Sequence, residues 1–177
     1  METLTVSKIQ KLVIPSNNFK LLEGCKADTK DGREALTYLN FREGGIIEAT
    51  DGRILVRTKL DISIPAGVYR IIGTEKNSKT TYLLTLESVD INYPNTENVI
   101  PKETEEKLSL LIQKKQVHAC TIVRIYNFNK SVVSEKYLET MGELNTEWNV
   151  FKTEASRALL FKPNAYETTV VLMPLAL

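Results

Sequence analysis

The sequence predicts an α+β fold, and three observations carry that prediction. Short alternating apolar segments recur along the chain with strand periodicity, from "KIQKLVIP" at 8–15 to "TTVVLMPLAL" at 168–177. Two stretches near 17–27 and 131–144 repeat apolar residues at helical spacing instead. Each of these precedes a run of strands, so both halves follow a helix-then-strands order. The expected arrangement is two helices side by side on a curved antiparallel sheet.

The elements follow in order. "KIQKLVIP" alternates loosely and stops at Pro15, as a strand does. "SNNFKLLEGCKA" (16–27) offers Ser or Asn as a helix cap, with Phe19, Leu22 and Cys25 on one helical face. "DTKDGRE" (28–34) is a turn cluster, and "ALTYLNFR" (35–42) alternates as a strand. "GGIIEAT" and "RILVRTKL" are strands flanking Asp51-Gly52, one of the strongest short turn signals. "AGVYRIIGT" (66–74) and "TTYLLTLESVDI" (80–91) add two more strands before the polar loop "NYPNTENVIP" (92–101).

In the second half, "TEEKLSLLIQKKQ" (104–116) predicts an extra helix near 102–116. Leu108, Leu111 and Ile112 fall at i, i+3, i+4, with Glu early and Lys late. "HACTIVRIYNF" (118–128) predicts a strand. "SVVSEKYLETMGEL" (131–144) predicts a helix burying Val133, Tyr137, Met141 and Leu144. Strands in "EWNVFKT", "ALLFKP" and "TTVVLMPLAL" close the chain.

Composition narrows the function. With 23 basic and 22 acidic residues the net charge is +1, so nothing global drives the chain to nucleic acid or anionic membrane. Cys25 and Cys120 are far apart, which predicts neither a disulfide framework nor a zinc site. This usage fits a reducing cytoplasm, and no signal peptide is expected at the N-terminus. No apolar run approaches the roughly 18–20 residues that span a bilayer. At 177 residues and 42% hydrophobic, one core-bearing domain is expected.

Four stretches, in order, resemble the bacterial replicative sliding clamp, the β subunit of DNA polymerase III. Ala49-Thr50-Asp51-Gly52-Arg53-Ile54-Leu55 is similar to the family's A-T-D-G-H-R-L strand signature. "YPNTENVIP", Tyr93 to Pro101, resembles its F-P-D-Y-x-x-V-I-P loop. "FNKSVVSEKYL", Phe128 to Leu138, resembles its F-N-x-x-Y-L helix entry. Met173-Pro174-Leu175-Ala176-Leu177 resembles the M-P-M-R-L ending. The resemblance implies that 1–101 corresponds to a middle clamp domain. It implies that 117–177 corresponds to the C-terminal half of the last one. Arg53 and Ile54 stand where the family has His-Arg, and Ala176 where it has Arg.

The resemblance further implies a non-enzymatic module of DNA replication or repair, a processivity-factor relative with no cofactor. Its site would be a peptide groove between the Thr-Asp-Gly turn and the C-terminus, formed by Thr50, Gly52, Leu55, Val171, Met173, Pro174 and Leu175. Its partners would be short hydrophobic motifs of polymerases or repair proteins. The alternative is a structural or regulatory clamp-fold protein without a pocket, interfering with a host clamp.

Duplex DNA is the second partner the resemblance implies, with Lys20, Lys26, Lys30 and Arg33 as candidate contacts. The charge pattern supports it weakly, because Glu23 sits among these residues and 131–144 is net acidic. The chain has about half the length of a three-domain clamp subunit, so a monomer or homodimer is expected rather than a ring. His118 and Cys120 would share one face of a strand, but a structural role fits them better than catalysis or metal binding.

Overall fold

The computed structural model describes residues 8–154 and 157–176; Leu177, the last residue of the Met-Pro ending, lies outside them. The first half runs β1 (Ile9–Pro15), α1 (Ser16–Cys25), β2 (Leu39–Arg42), β3 (Ile46–Thr50), β4 (Ile54–Lys59), β5 (Gly67–Lys76) and β6 (Thr81–Val89). The second half runs β7 (Lys107–Ile112), α2 (Ala119–Asn129), α3 (Glu135–Met141), β8 (Thr146–Phe151), β9 (Leu159–Pro163) and β10 (Thr168–Leu172). This is the predicted α+β class.

The ten strands among the described residues join one antiparallel sheet in the order β1-β6-β5-β2-β3-β4-β10-β9-β8-β7. The two halves meet at β4 and β10, where Leu55 lies opposite Val171. A strand buries alternate residues, and β4 and β10 do so on both faces. Ile54, Val56, Val170 and Leu172 face the main core beneath the helices, while Leu55 and Val171 face the other way.

The predicted helix pair is present and in contact. α1 buries Phe19, Leu22 and Cys25 as expected, together with Asn18 and Leu21. Neither Ser nor Asn is the N-cap: Pro15 holds that place, Ser16 is already the first helical residue, and Asn17 Oδ1 accepts from the Asn18 N–H at 2.9 Å within the first turn. Val133, Tyr137, Met141 and Leu144 are all buried. The expected single helix over 131–144 is shorter, with a 3₁₀ turn at Gly142–Leu144 continuing α3. The two helices pack tightly at Gly24, where a Cβ would come within 2.4 Å of Thr140 Cγ2.

Two predicted elements exchange type. The helix expected at 102–116 is strand β7, fully paired with β8 from Lys107↔Phe151 to Ile112↔Thr146. The strand expected at 118–128 is helix α2, which buries Thr121, Ile125 and Asn129 at i, i+4, i+8. Lys107, Ser109 and Leu111 are exposed while Leu110 and Ile112 are buried, so the segment's period of two prevails over its helical spacing. An amphipathic helix at 104–116 would leave β8 unpaired at its outer edge. No described helix is long and apolar enough to cross a membrane.

Candidate functional site

The β3–β4 connection is a hairpin turn built by Asp51 and Thr50. Asp51 Oδ1 accepts from the N–H groups of Arg53 at 2.8 Å and Ile54 at 3.0 Å. Thr50 Oγ1 donates to the Ile54 carbonyl at 2.6 Å and accepts from Gly52 N–H at 3.0 Å. Gly52 takes φ +89°, a region where side chains are strained, and a Cβ there would displace the end of the Arg33 side chain. Arg33 donates to the Asp51 carbonyl at 2.8 Å and is itself held by the Asp31 carboxylate. That ion pair holds the Asp31 carboxyl below its ordinary range.

The other Asp51 oxygen, Oδ2, accepts from the Tyr137 hydroxyl at 2.6 Å. Burial and then this hydrogen bond to a carboxylate raise the Tyr137 pKa well above the phenol range. One aspartate thus shapes the turn with one oxygen and ties it to α3 with the other.

Beside this turn lies a groove of about 380 Å³ on the sheet face opposite the helices. Leu55 and Val171 form its floor and are buried against Leu160 and Phe151 in a row crossing four strands. Thr50, Gly52 and Arg53 form one rim, with Arg33 and Leu36 beside them. Met173, 45% exposed, adjoins that rim, and its N–H donates to the Arg53 carbonyl at 2.8 Å. The remaining wall comes from the loop after β6: Pro94, Asn95, Thr96 and Val99.

Five of the seven expected groove residues therefore lie together: Thr50, Gly52, Leu55, Val171 and Met173. Pro174 and Leu175 lie outside this recess; the tail turns toward Val132, whose carbonyl accepts from Leu175 N–H at 2.8 Å. Sequence reasoning missed the wall residues and Leu36. The motif "YPNTENVIP" covers that wall, but a motif match alone does not say where in the fold the loop packs.

The candidate DNA contacts fall on different elements. Lys20 is exposed on α1, Lys26 pairs with Glu23 at 2.8 Å, and Lys30 lies in the exposed 28–33 turn. Arg33 belongs to the groove rim. His118 and Cys120 do not share a strand face. His118 precedes α2, is buried, and contacts Glu139 Oε2 through Nε2 at 3.1 Å, whereas Cys120 is exposed. Among the described residues no cluster of His, Cys, Asp and Glu could hold a metal ion.

No protein-family model and no curated protein matches the chain. Solved structures do. The DNA polymerase III β chain of Streptococcus pneumoniae superimposes with a TM-score of 0.59 at 13% identity, over 100% of this chain and 67% of that one. The sliding clamp of Bacillus subtilis gives 0.56 at 16% identity, over 100% and 67%. The β subunit of Borrelia burgdorferi, solved with a natural product, gives 0.57 at 12%, over 100% and 67%. The chain thus has the fold of bacterial DNA polymerase III β sliding clamps.

Proposed function

We propose that this protein is a non-enzymatic, clamp-like binding module of DNA replication or repair that captures short apolar peptide segments in the groove beside Asp51-Gly52. One observation carries the reading: Leu55 and Val171 meet across the β4–β10 junction as an apolar floor, with an open recess of about 380 Å³ above them. Such a recess accepts a few large aliphatic or aromatic side chains, and the exposed Met173 at its end repacks around different ones. The shared fold supports this reading. We read residues 1–177 as one clamp-like domain, with 1–101 and 117–177 as its two contributing parts.

The test is titration of a fluorescein-labelled peptide, Ala-Leu-Ser-Leu-Phe, against the full chain and against a chain truncated after Leu172. The full chain is expected to bind at roughly micromolar strength, about 8 kcal/mol. Truncation removes Met173 and its bond to Arg53, and binding is expected to vanish with the circular dichroism spectrum retained. Absence of saturable binding by the full chain up to millimolar peptide overturns the proposal in favour of a structural clamp-fold protein.

A further inference from the structure

We infer that Glu48 is a positioning residue for the groove: one buried carboxylate on β3 sets the place of the wall formed by residues 94–99. The inference rests on the peptide-capture reading. Glu48 is two residues before Thr50, so it projects from the same sheet face as the groove. It is fully buried there. An unpaired carboxylate at such a place would be strongly destabilising, and every contact it makes is with a donor.

Its register partners supply those donors. Asn40 lies opposite on β2 and donates to Oε2 at 2.9 Å. Arg57 lies opposite on β4 and donates from Nε to Oε1 at 2.7 Å, while Arg42 Nη1 donates to Oε1 at 3.2 Å. The fourth donor comes from the wall itself, where Thr96 Oγ1 donates to Oε1 at 2.8 Å. Thr96 in turn accepts from Arg57 Nη2 at 3.1 Å, so its hydroxyl is used in both directions.

The same two arginines reach the next residue of that loop, Glu97, which does not itself line the groove. Glu97 accepts from Arg57 Nη2 at 3.0 Å and from Arg42 Nη1. Two carboxylates and two guanidiniums therefore balance, and the balance exists only while the loop lies on the sheet. Residues 90–106 contain no strand, and their turn at Glu97–Val99 is a single 3₁₀ turn. The wall is held by side chains rather than by ladder hydrogen bonds. Without the Glu48 charge, two cations would face one exposed carboxylate, and the wall would loosen over the Leu55–Val171 floor.

The experiment compares the full chain with Glu48→Gln, and with Thr96→Val and Glu97→Gln as milder variants that keep the buried carboxylate. Hydrogen exchange by mass spectrometry reads the wall, and the labelled Ala-Leu-Ser-Leu-Phe peptide reads the groove. Glu48→Gln and Thr96→Val are expected to speed exchange in 92–101 by about tenfold or more, with β7 and β8 unchanged. Peptide affinity is expected to fall about fivefold or more. A role in overall stability alone would instead raise exchange across the sheet, and that result overturns the inference. So does wild-type exchange in 92–101 for both Glu48→Gln and Thr96→Val. If the full chain binds no peptide, the capture reading fails, while the exchange data still decide whether Glu48 places the wall.

Discussion

Tyr137 on α3 donates its hydroxyl to Asp51 Oδ2 at 2.6 Å, joining residues 86 positions apart. A core helix is thereby coupled to the turn that edges the groove. Tyr137→Phe removes only the hydroxyl and leaves an oxygen of the half-buried Asp51 carboxylate without that donor. The expected loss is about 1–3 kcal/mol, read as a lower urea midpoint with an unchanged slope. A midpoint equal to that of the wild type would show that the bond contributes nothing to stability.

Alkaline pH provides a second test of that bond. Burial, followed by the Asp51 hydrogen bond, raises the Tyr137 pKa, and burial likewise raises those of Tyr93 and Cys25. A raised folded-state pKa means the unfolded chain loses its proton first. The associated stability is therefore complete below the unfolded values and declines as pH rises above about 9 to 10. The urea midpoint is expected to fall steadily from pH 9 upward, and less steeply in Tyr137→Phe. Equal slopes in the two proteins would remove Tyr137 from this account.

Gly52→Ala places a side chain at φ +89°, with its Cβ 2.4 Å from Arg33 Nη1. The backbone strain alone costs about 1–3 kcal/mol. Arg33 must also move, which releases its bond to the Asp51 carbonyl. Peptide affinity should fall together with thermal stability, measured by fluorescence anisotropy and by melting. A variant that binds and melts like the wild type would show that the turn has another conformation open to it.

The contact between α1 and α3 is testable through a double-mutant cycle. Gly24→Ala puts a methyl group against Thr140, and the overpacking costs about 1–3 kcal/mol, offset by the better helix propensity of alanine. Thr140→Ala opens that space. Combined, the two substitutions should be more stable than their separate effects predict, with a coupling of at least about 0.5 kcal/mol. Strict additivity would place the helices farther apart than this contact requires.

Assembly and DNA binding follow from charge and edges. Ser109, on edge strand β7, has its carbonyl engaged by Arg124 Nη2 at 3.2 Å, and a cation at an edge discourages pairing with another sheet. The solvent side of the helix pair mixes Lys20 and Lys136 with Glu23, Glu135 and Glu139. Light scattering after size exclusion is expected to give a monomer or dimer at micromolar concentration. Duplex DNA is expected to bind weakly and to dissociate readily as salt rises. A hexameric mass, or submicromolar DNA affinity at 0.15 M salt, would overturn this expectation.

The sequence by itself determined the α+β class, both core helices, and the turn at Asp51-Gly52. Those features rest on local rules: apolar spacing, and a dipeptide with few conformations. It also pointed to Thr50, Gly52, Leu55, Val171 and Met173, which line one recess, through motifs rather than through periodicity. Tertiary structure decided the rest. "KLSLLI" carries both a helical and a strand period, and only pairing with β8 selects the strand. "ACTIVRIYNFN" is rich in β-branched residues yet forms α2, because Thr121, Ile125 and Asn129 find burial on one helical face. The loop at 94–99 carries the motif "YPNTENVIP", but the place where it packs is not written there. Its position depends on Glu48, Arg42 and Arg57 meeting Thr96 and Glu97 across 39 to 55 residues of chain. Such a long-range balance of charge around one buried carboxylate leaves no periodic trace along the sequence.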